Sequence, residues 1–274
     1  MHSSCKKIPH VIHYFWFGRN PLPPLLKKCL QSWRKYCPDY EIKKWDESNF
    51  DINICPYVKE AYKAKKWAFV SDYARFYVLN KYGGIYLDTD VELIKNLTPI
   101  LEKGPFLAKE NENFDSIAPG LGMASLKDNS LFKKILVEYN NSHFKVNENK
   151  FDETTVVMRI NKLLIRDGLK KNDDFQVIDG FTIYPPEYFC PFNFYTGKLK
   201  ITSNTVGIHH YAGSWLTERE RKNNQRRMIL MKILGPKLGM RVYSKYLLMY
   251  NFMTKVNDKG WRNAIIYYYK KIHR

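Results

Sequence analysis

Lys81-Tyr-Gly83-Gly84-Ile85-Tyr86-Leu87-Asp88-Thr89-Asp90-Val91-Glu92 is the stretch on which the reading of this chain turns. Two glycines turn the chain after a helical run, Ile85, Tyr86 and Leu87 form a short apolar strand, and carboxylates then alternate along its end. Residues two apart on an extended chain point the same way, so Asp88 and Asp90 present oxygens to one hard cation while Thr89 faces elsewhere. A magnesium or manganese ion held by only two side chains keeps open positions, which phosphate oxygens fill. An isolated Asp-x-Asp is commonly a solvated strand end, and it is the company of this one that gives it weight.

Upstream, Val11-Ile-His-Tyr-Phe-Trp16-Phe-Gly18 reads as a first buried strand, and the Pro-rich run after it starts a helix through about Tyr36. Tyr40 to Asp46 reads as a second strand ending in acid. Helical material follows from Tyr57 to Tyr82, where Ala68, Asp72, Arg75, Phe76 and Leu79 fall on one face, setting a charged pair among apolar neighbours. Downstream, Pro105–Lys109 and Ile117–Ser125 read as strands, the second loosened by Gly120 and Gly122 so that a ligand or backbone can approach. Helices are predicted over 130–142 and 153–167, and strands over 175–184 and 205–211. The alternation predicts a three-layer α/β sandwich, Rossmann-like, with its ligand at the carboxyl ends of the strands.

Composition bounds the function classes. The 274 residues, 45% of them hydrophobic, suit one large domain with an appendage. Five scattered cysteines form no Cys-x-x-Cys pair and read as reduced thiols of a cytosol. The amino terminus lacks the apolar stretch of a signal peptide, and no apolar run is long enough to span a bilayer. Of the net charge of +18, residues from Thr217 onward carry 15 Lys and Arg against 3 acids. The expected division is therefore a domain over 1–216 and a basic amphipathic helical tail over 217–274.

A second chemical cluster, His209-His210-Tyr211-Ala212-Gly213-Ser214-Trp215, closes the domain just before that tail. Imidazole suits manganese better than magnesium, and adjacent histidines on a strand point to opposite faces, so one of the two can join the aspartates.

Together, Trp16 in a first strand, Ser71-Asp72-x-x-Arg75, Gly83-Gly84-Ile-Tyr-Leu-Asp88-Thr-Asp90 and His210-Tyr-x-Gly-Ser-Trp215 resemble glycosyltransferase family 32 over about residues 8 to 216. The resemblance implies a GT-A-like fold, a nucleotide-diphosphate sugar donor with uridine diphosphate favoured, a divalent cation (Mn2+ or Mg2+), and transfer with retention of anomeric configuration. It implies that Trp16 stacks on the base and that Asp72 and Arg75 hold sugar hydroxyls and a phosphate. Asp88 would touch ribose and metal, Asp90 would bind the metal directly, and His210, rather than His209, would complete the metal's ligands. Ser214 and Trp215 would meet the diphosphate. No nucleophile follows from the pattern; Asp152 and Glu153 are candidates that also suit a helix start.

The tail interleaves Lys and Arg with Leu238, Val242, Tyr246, Met249 and Met253, a composition suited to lying on an anionic leaflet without spanning it. The expected partners are a nucleotide sugar, a glycan or lipid-linked glycan acceptor and the inner face of the cell membrane. Two other classes compete. A nucleic-acid-binding module is suggested by charge alone, but the charge sits on apolar helices and no nucleic-acid motif is present. A donor-binding, inactive relative acting in assembly is opposed by the complete Asp88, Asp90 and His210 set.

Overall fold

The computed structural model describes residues 7–110, 116–148, 150–193, 197–213, 216 and 218–272. The chain divides into two compact units, Met1–Phe192 with Leu199–Trp215, and Asn193–Lys198 with Leu216–Arg274.

The first unit begins with β1 (Val11–Phe15), α1 (Pro24–Tyr36) and β2 (Glu41–Trp45). Next come α2 (Pro56–Lys63), α3 (Trp67–Tyr82), β3 (Gly84–Tyr86), β4 (Val91–Leu93) and α4 (Thr98–Leu101). Then follow β5 (Phe106–Ala108), β6 (Met123–Ser125), α5 (Ser130–Asn140), β7 (Lys145–Asn147), β8 (Lys150–Phe151) and α6 (Val156–Arg166). The last elements before the tail are β9 (Gln176–Ile178), β10 (Phe181–Tyr184), α7 (Pro186–Phe189), β11 (Phe192–Asn193), β12 (Lys198–Leu199) and β13 (Gly207–His209).

Seven strands form one sheet in the order β2-β1-β3-β6-β5-β10-β9. β2, β1 and β3 are parallel, β6 runs antiparallel between β3 and β5, and β10 lies parallel to β5. Strand alternation sends neighbouring side chains to opposite cores. Tyr86, Leu107 and Met123 pack with residues of α2, α3, α5 and α6, whereas Ile85, Phe106 and Ala124 pack with Leu30 and Trp33 of α1. The sheet is thus the middle of three layers, as expected.

Three boundaries differ from the sequence reading. The helix expected over 57–82 is two helices, broken where Lys65 takes a left-handed φ of 56°. The strand expected over 175–184 is a hairpin turned at Asp179-Gly180, both with positive φ. The stretch from Ile117 pairs with Lys109 through one bridge and becomes a strand only at Met123. The first two breaks fall on polar residues, Lys65-Lys66 and Asp179-Gly180, the second pair a recognised hairpin signal.

The second unit is helical: α8 (Glu218–Leu234), α9 (Pro236–Lys259) and α10 (Trp261–Ile272). Gly235 and Gly260, both at positive φ, turn the chain between them. A Cβ on Gly239 would stand 2.7 Å from the Leu230 carbonyl oxygen and the Met231 Cα, so α8 and α9 touch backbone to backbone there. Among the described residues no helix is long and apolar enough to cross a membrane.

Candidate active site

The acid pair lies where β3 leaves the sheet. Gly83 caps α3 at a φ of 69°, and Gly84, at 102°, starts β3 against β1, where a Cβ would stand 2.8 Å from the Val11 carbonyl oxygen. The Asp88 amide donates to the Gly120 carbonyl, 2.9 Å, and the Val91 amide donates to the Asp88 carbonyl, 3.0 Å, turning the chain into β4. Gly120 also leaves room for the side chain, since a Cβ there would stand 2.0 Å from Asp88 Oδ2. The freedom expected at Gly120 is therefore spent on a carboxylate of the chain itself.

Two side chains, Arg75 and Tyr86, fix Asp88 and Asp72. Arg75 donates to Asp72 Oδ1 at 2.8 Å and stands 3.5 Å from Asp88 Oδ1. Its guanidinium lies 4.6 Å from the Tyr86 ring centre, and the Tyr86 hydroxyl donates to Asp88 Oδ1. Burial opposes the charge on Arg75, but Tyr86, Asp88 and Asp72 outweigh it and keep it protonated. Burial dominates at Asp72 and pushes its carboxyl up to about 6 against the pull of Arg75.

β13 pairs antiparallel with β4, His209 opposite Val91, which carries the histidine to the acid pair. His209 Nε2 is 3.2 Å from Asp90 Oδ1, and the Ala212 amide donates to Asp90 Oδ2 at 2.8 Å. Burial would raise Asp90, yet the charge and hydrogen bond of His209 and the Ala212 amide bring it down to about 2. Burial lowers His209 in turn, and Asp90 overcomes it, raising the imidazole to about 8. Ligand atoms of Asp88, Asp90 and His209 all lie within 4.8 Å of one another.

This corrects one expected ligand. His210, one residue on, points the other way, and its Nε2 is 2.8 Å from Glu92 Oε2, while Lys28 approaches Glu92 Oε1 at 3.1 Å. The register of β13 against β4 decides which histidine faces the aspartates, and residue order alone does not carry that register. His210 instead ties the segment after β13 to β4. The donor set fits a divalent ion: two carboxylates and one imidazole converge, and among the described residues the other imidazole nitrogen, His209 Nδ1, is buried without a partner.

Trp16 follows β1 at the carboxyl edge from which Asp88 emerges, half-buried, with its indole N–H on the Asn20 carbonyl at 2.6 Å. Asp46, at the neighbouring strand end, is occupied by Lys44 and by Ser48, which hold it down to about 2. Asp152 is occupied as well, by Arg159 and the Thr154 amide, so it caps the approach to α6 rather than standing free as a nucleophile. Ser214 and Trp215 lie outside the described residues.

Sequence reasoning gave no role to Tyr86 or Tyr211, and it named Glu110 only as the start of a loop suited to an acceptor. Tyr86 precedes Asp88 by two on the same strand, a spacing that by itself puts both on one side. The Tyr211 hydroxyl donates to Glu110 Oε1 at 3.0 Å, and its ring meets His209 at 4.2 Å between centres. Burial raises the Glu110 carboxyl, with Tyr211 and His209 opposing. No pattern in the sequence joins residues 110 and 211.

Against known families, residues 23–107 match the glycosyltransferase sugar-binding region containing a DXD motif, and Asp88-Thr-Asp90 is that motif. The chain carries the sugar-binding region of the DXD glycosyltransferases. An uncharacterized glycosyltransferase of Acanthamoeba polyphaga mimivirus is 28% identical over 199 residues, covering 70% of this chain and 76% of its own. Inositol phosphoceramide mannosyltransferase 1 of Schizosaccharomyces pombe is 30% identical over 121 residues, 40% of this chain. The chain spans only 36% of the length of that glycosyltransferase. Among solved structures, the PaToxG glycosyltransferase aligns with a TM-score of 0.48 at 19% identity, over 59% of this chain and 70% of its own. A glycosyltransferase involved in glycosylating the major capsid of PBCV-1 aligns at 0.45 and 12%, over 78% and 99%.

Proposed function

We propose that this chain is a retaining, metal-dependent glycosyltransferase that moves a hexosyl group from a nucleotide diphosphate to a glycan or lipid-linked glycan at an anionic membrane surface. Uridine diphosphate is the favoured carrier. Guanosine diphosphate is its rival, since the yeast relatives are named for mannosyl transfer. One observation carries the reading: Asp88, Asp90 and His209 converge within 4.8 Å, with Arg75 braced on Asp88 beside them.

Asp88, Asp90 and His209 would hold Mn2+ or Mg2+, which when bound offsets negative charge on the departing diphosphate. Arg75 adds a permanent cation at the same edge. Asp72 accepts hydrogen bonds from the donor sugar, and Trp16 stacks on the base, worth about 1 to 3 kcal/mol by analogy with aromatic contacts to nucleic-acid bases. With Asp152 tied to Arg159, retention is assigned to departure and attack on one face of the sugar. The acceptor oxygen bonds to the anomeric carbon as the bond to the diphosphate breaks, and the acceptor proton passes to the leaving phosphate oxygen.

The membrane part of the proposal rests on α9. Leu238, Val242, Met249 and Met253 are exposed and recur at i, i+4, i+11 and i+15, one helix face, with Arg241 and Lys245 beside it. Cys29, Cys37 and Cys55 are buried and free, which suits a reducing compartment and hence the inner face of the membrane.

The test is Asp90→Asn, assayed for transfer with the nucleotide sugar that most stabilises the protein in a thermal-shift screen. Transfer is expected to fall by about a thousandfold with the melting temperature held. Full turnover with added manganese would contradict the assignment.

A further inference from the structure

Behind Asp72 the helices on one face of the sheet bring together a cluster of buried polar side chains that the donor contacts above do not use. α2 contributes Tyr57, α3 Asp72 and Arg75, α5 Tyr139 and α6 Arg159. Tyr57 and Tyr139 are fully buried and meet edge to face at 4.8 Å, and Arg159, 6% exposed, lays its guanidinium 4.5 Å from the Tyr139 ring centre. Arg159 Nη2 is committed to Asp152 at 2.5 Å, but its Nε–H has no partner, and neither has the Tyr139 hydroxyl. Asp72 stands at the rim, its side chain 11% exposed, and its charge follows burial among the causes that raise the Tyr139 hydroxyl.

A buried donor without a partner is costly, and three such donors, the Tyr57 and Tyr139 hydroxyls and the Arg159 Nε–H, near one carboxylate call for a guest that both accepts and donates. Arg75 and Arg159 are already paired with Asp72, Asp88 and Asp152, so the cluster offers no unopposed cation to an anionic guest. A sugar hydroxyl meets each requirement: its oxygen accepts from Tyr139 and Arg159, and its hydrogen goes to Asp72.

We propose that Tyr139 and Arg159 form the floor of the donor-sugar subsite, where they recognise one hydroxyl of the transferred sugar and so help to set which hexose is accepted. The inference rests on the proposed function, in which Asp72 faces the donor sugar. It adds residues from two helices outside the matched 23–107 region.

The test uses the full chain with Mn2+ and the best stabiliser among UDP-glucose, UDP-N-acetylglucosamine and GDP-mannose. Its affinity is compared with that of the matching free nucleotide. Tyr139→Phe removes a hydroxyl that has no partner in the fold, so the melting temperature is expected to hold or rise while free nucleotide binds as before. The preference for nucleotide sugar over nucleotide is expected to drop about tenfold, one hydrogen bond's worth. If Tyr139→Phe folds poorly, Arg159→Lys makes the same prediction, because it keeps the charge beside Asp152 and deletes the Nε–H. An unchanged preference in Tyr139→Phe, with Asp72→Asn still weakening it, overturns the floor and leaves the donor reading standing. An unchanged preference in Asp72→Asn overturns both. A lower melting temperature in Tyr139→Phe with the preference intact marks a buried-water site and also overturns the inference.

Discussion

In the sheet-bearing unit Asp72, Arg75, Asp90 and Arg159 are each less than a tenth exposed, whereas in the helical unit Leu238, Leu248, Met249 and Ile233 are 49% to 72% exposed. One unit places charge where water is excluded, and the other places apolar surface where water is abundant. Buried charge survives only in tight mutual pairing, so its geometry is strict and a single lost partner is felt at once. Exposed apolar surface demands no such geometry; it acts by area and suits contact with something broad and soft. Substitutions should therefore act sharply and locally in the first unit, and gradually and additively in the second.

The largest effect is expected at Arg75, the cation shared by Asp72 and Asp88. Arg75→Ala leaves two carboxylates uncompensated and should cost about 3 to 5 kcal/mol in chemical denaturation, together with loss of transfer. A cost under 1 kcal/mol would show that the pair is solvated and that the contrast is overdrawn.

Acidity probes the same burial. His13, its Nε2 on the Gly83 carbonyl and its Nδ1 accepting from Trp45, is depressed by burial from 6.5 to about 4. The unfolded chain then takes the proton first, so this group's contribution is present above pH 6.5 and lost as pH falls to about 4. Asp72 runs the other way. Raised by burial from 3.8 to about 6, it binds its proton first in the folded state, so its penalty is relieved as pH falls through that window. The two oppose each other in the native chain. Asp72→Asn removes one of them, and its stability should fall more steeply than wild type between pH 6.5 and 4, by up to about 3 kcal/mol. Parallel pH profiles would contradict the burial of Asp72.

Gly120→Ala tests placement without charge. The added methyl displaces Asp88 Oδ2, so activity should drop about 10- to 100-fold, as for a disturbed metal-ligand support, with little change in melting temperature. On the helical side, Leu238→Gln with Met249→Gln should lower binding to anionic vesicles about tenfold and leave donor hydrolysis untouched. Loss of hydrolysis in that variant would mean that the units do not divide their labour in this way.

What the sequence makes legible follows from range. Asp88 and Asp90 are two apart on one strand, and Asp72 and Arg75 three apart on one helix, so local periodicity places each pair. The choice between His209 and His210 depends on how β13 registers against β4, more than a hundred residues away in the chain, and a one-residue slip exchanges them. Tyr139 and Arg159 come near enough to Asp72 to feel its charge only because α3, α5 and α6 pack on one face of the sheet, a fact of layering that no local spacing carries. The apolar stripe of α9 was legible because it is local, as helical faces are.

The central claim is that Asp88, Asp90 and His209 form one ion-binding centre. Calorimetric titration of manganese with nucleotide into wild type, His209→Ala and His210→Ala tests it most directly. The account predicts that His209→Ala weakens manganese-dependent nucleotide binding about 10- to 100-fold while His210→Ala retains most of it. The reverse order, or equal binding in all three proteins, would contradict it.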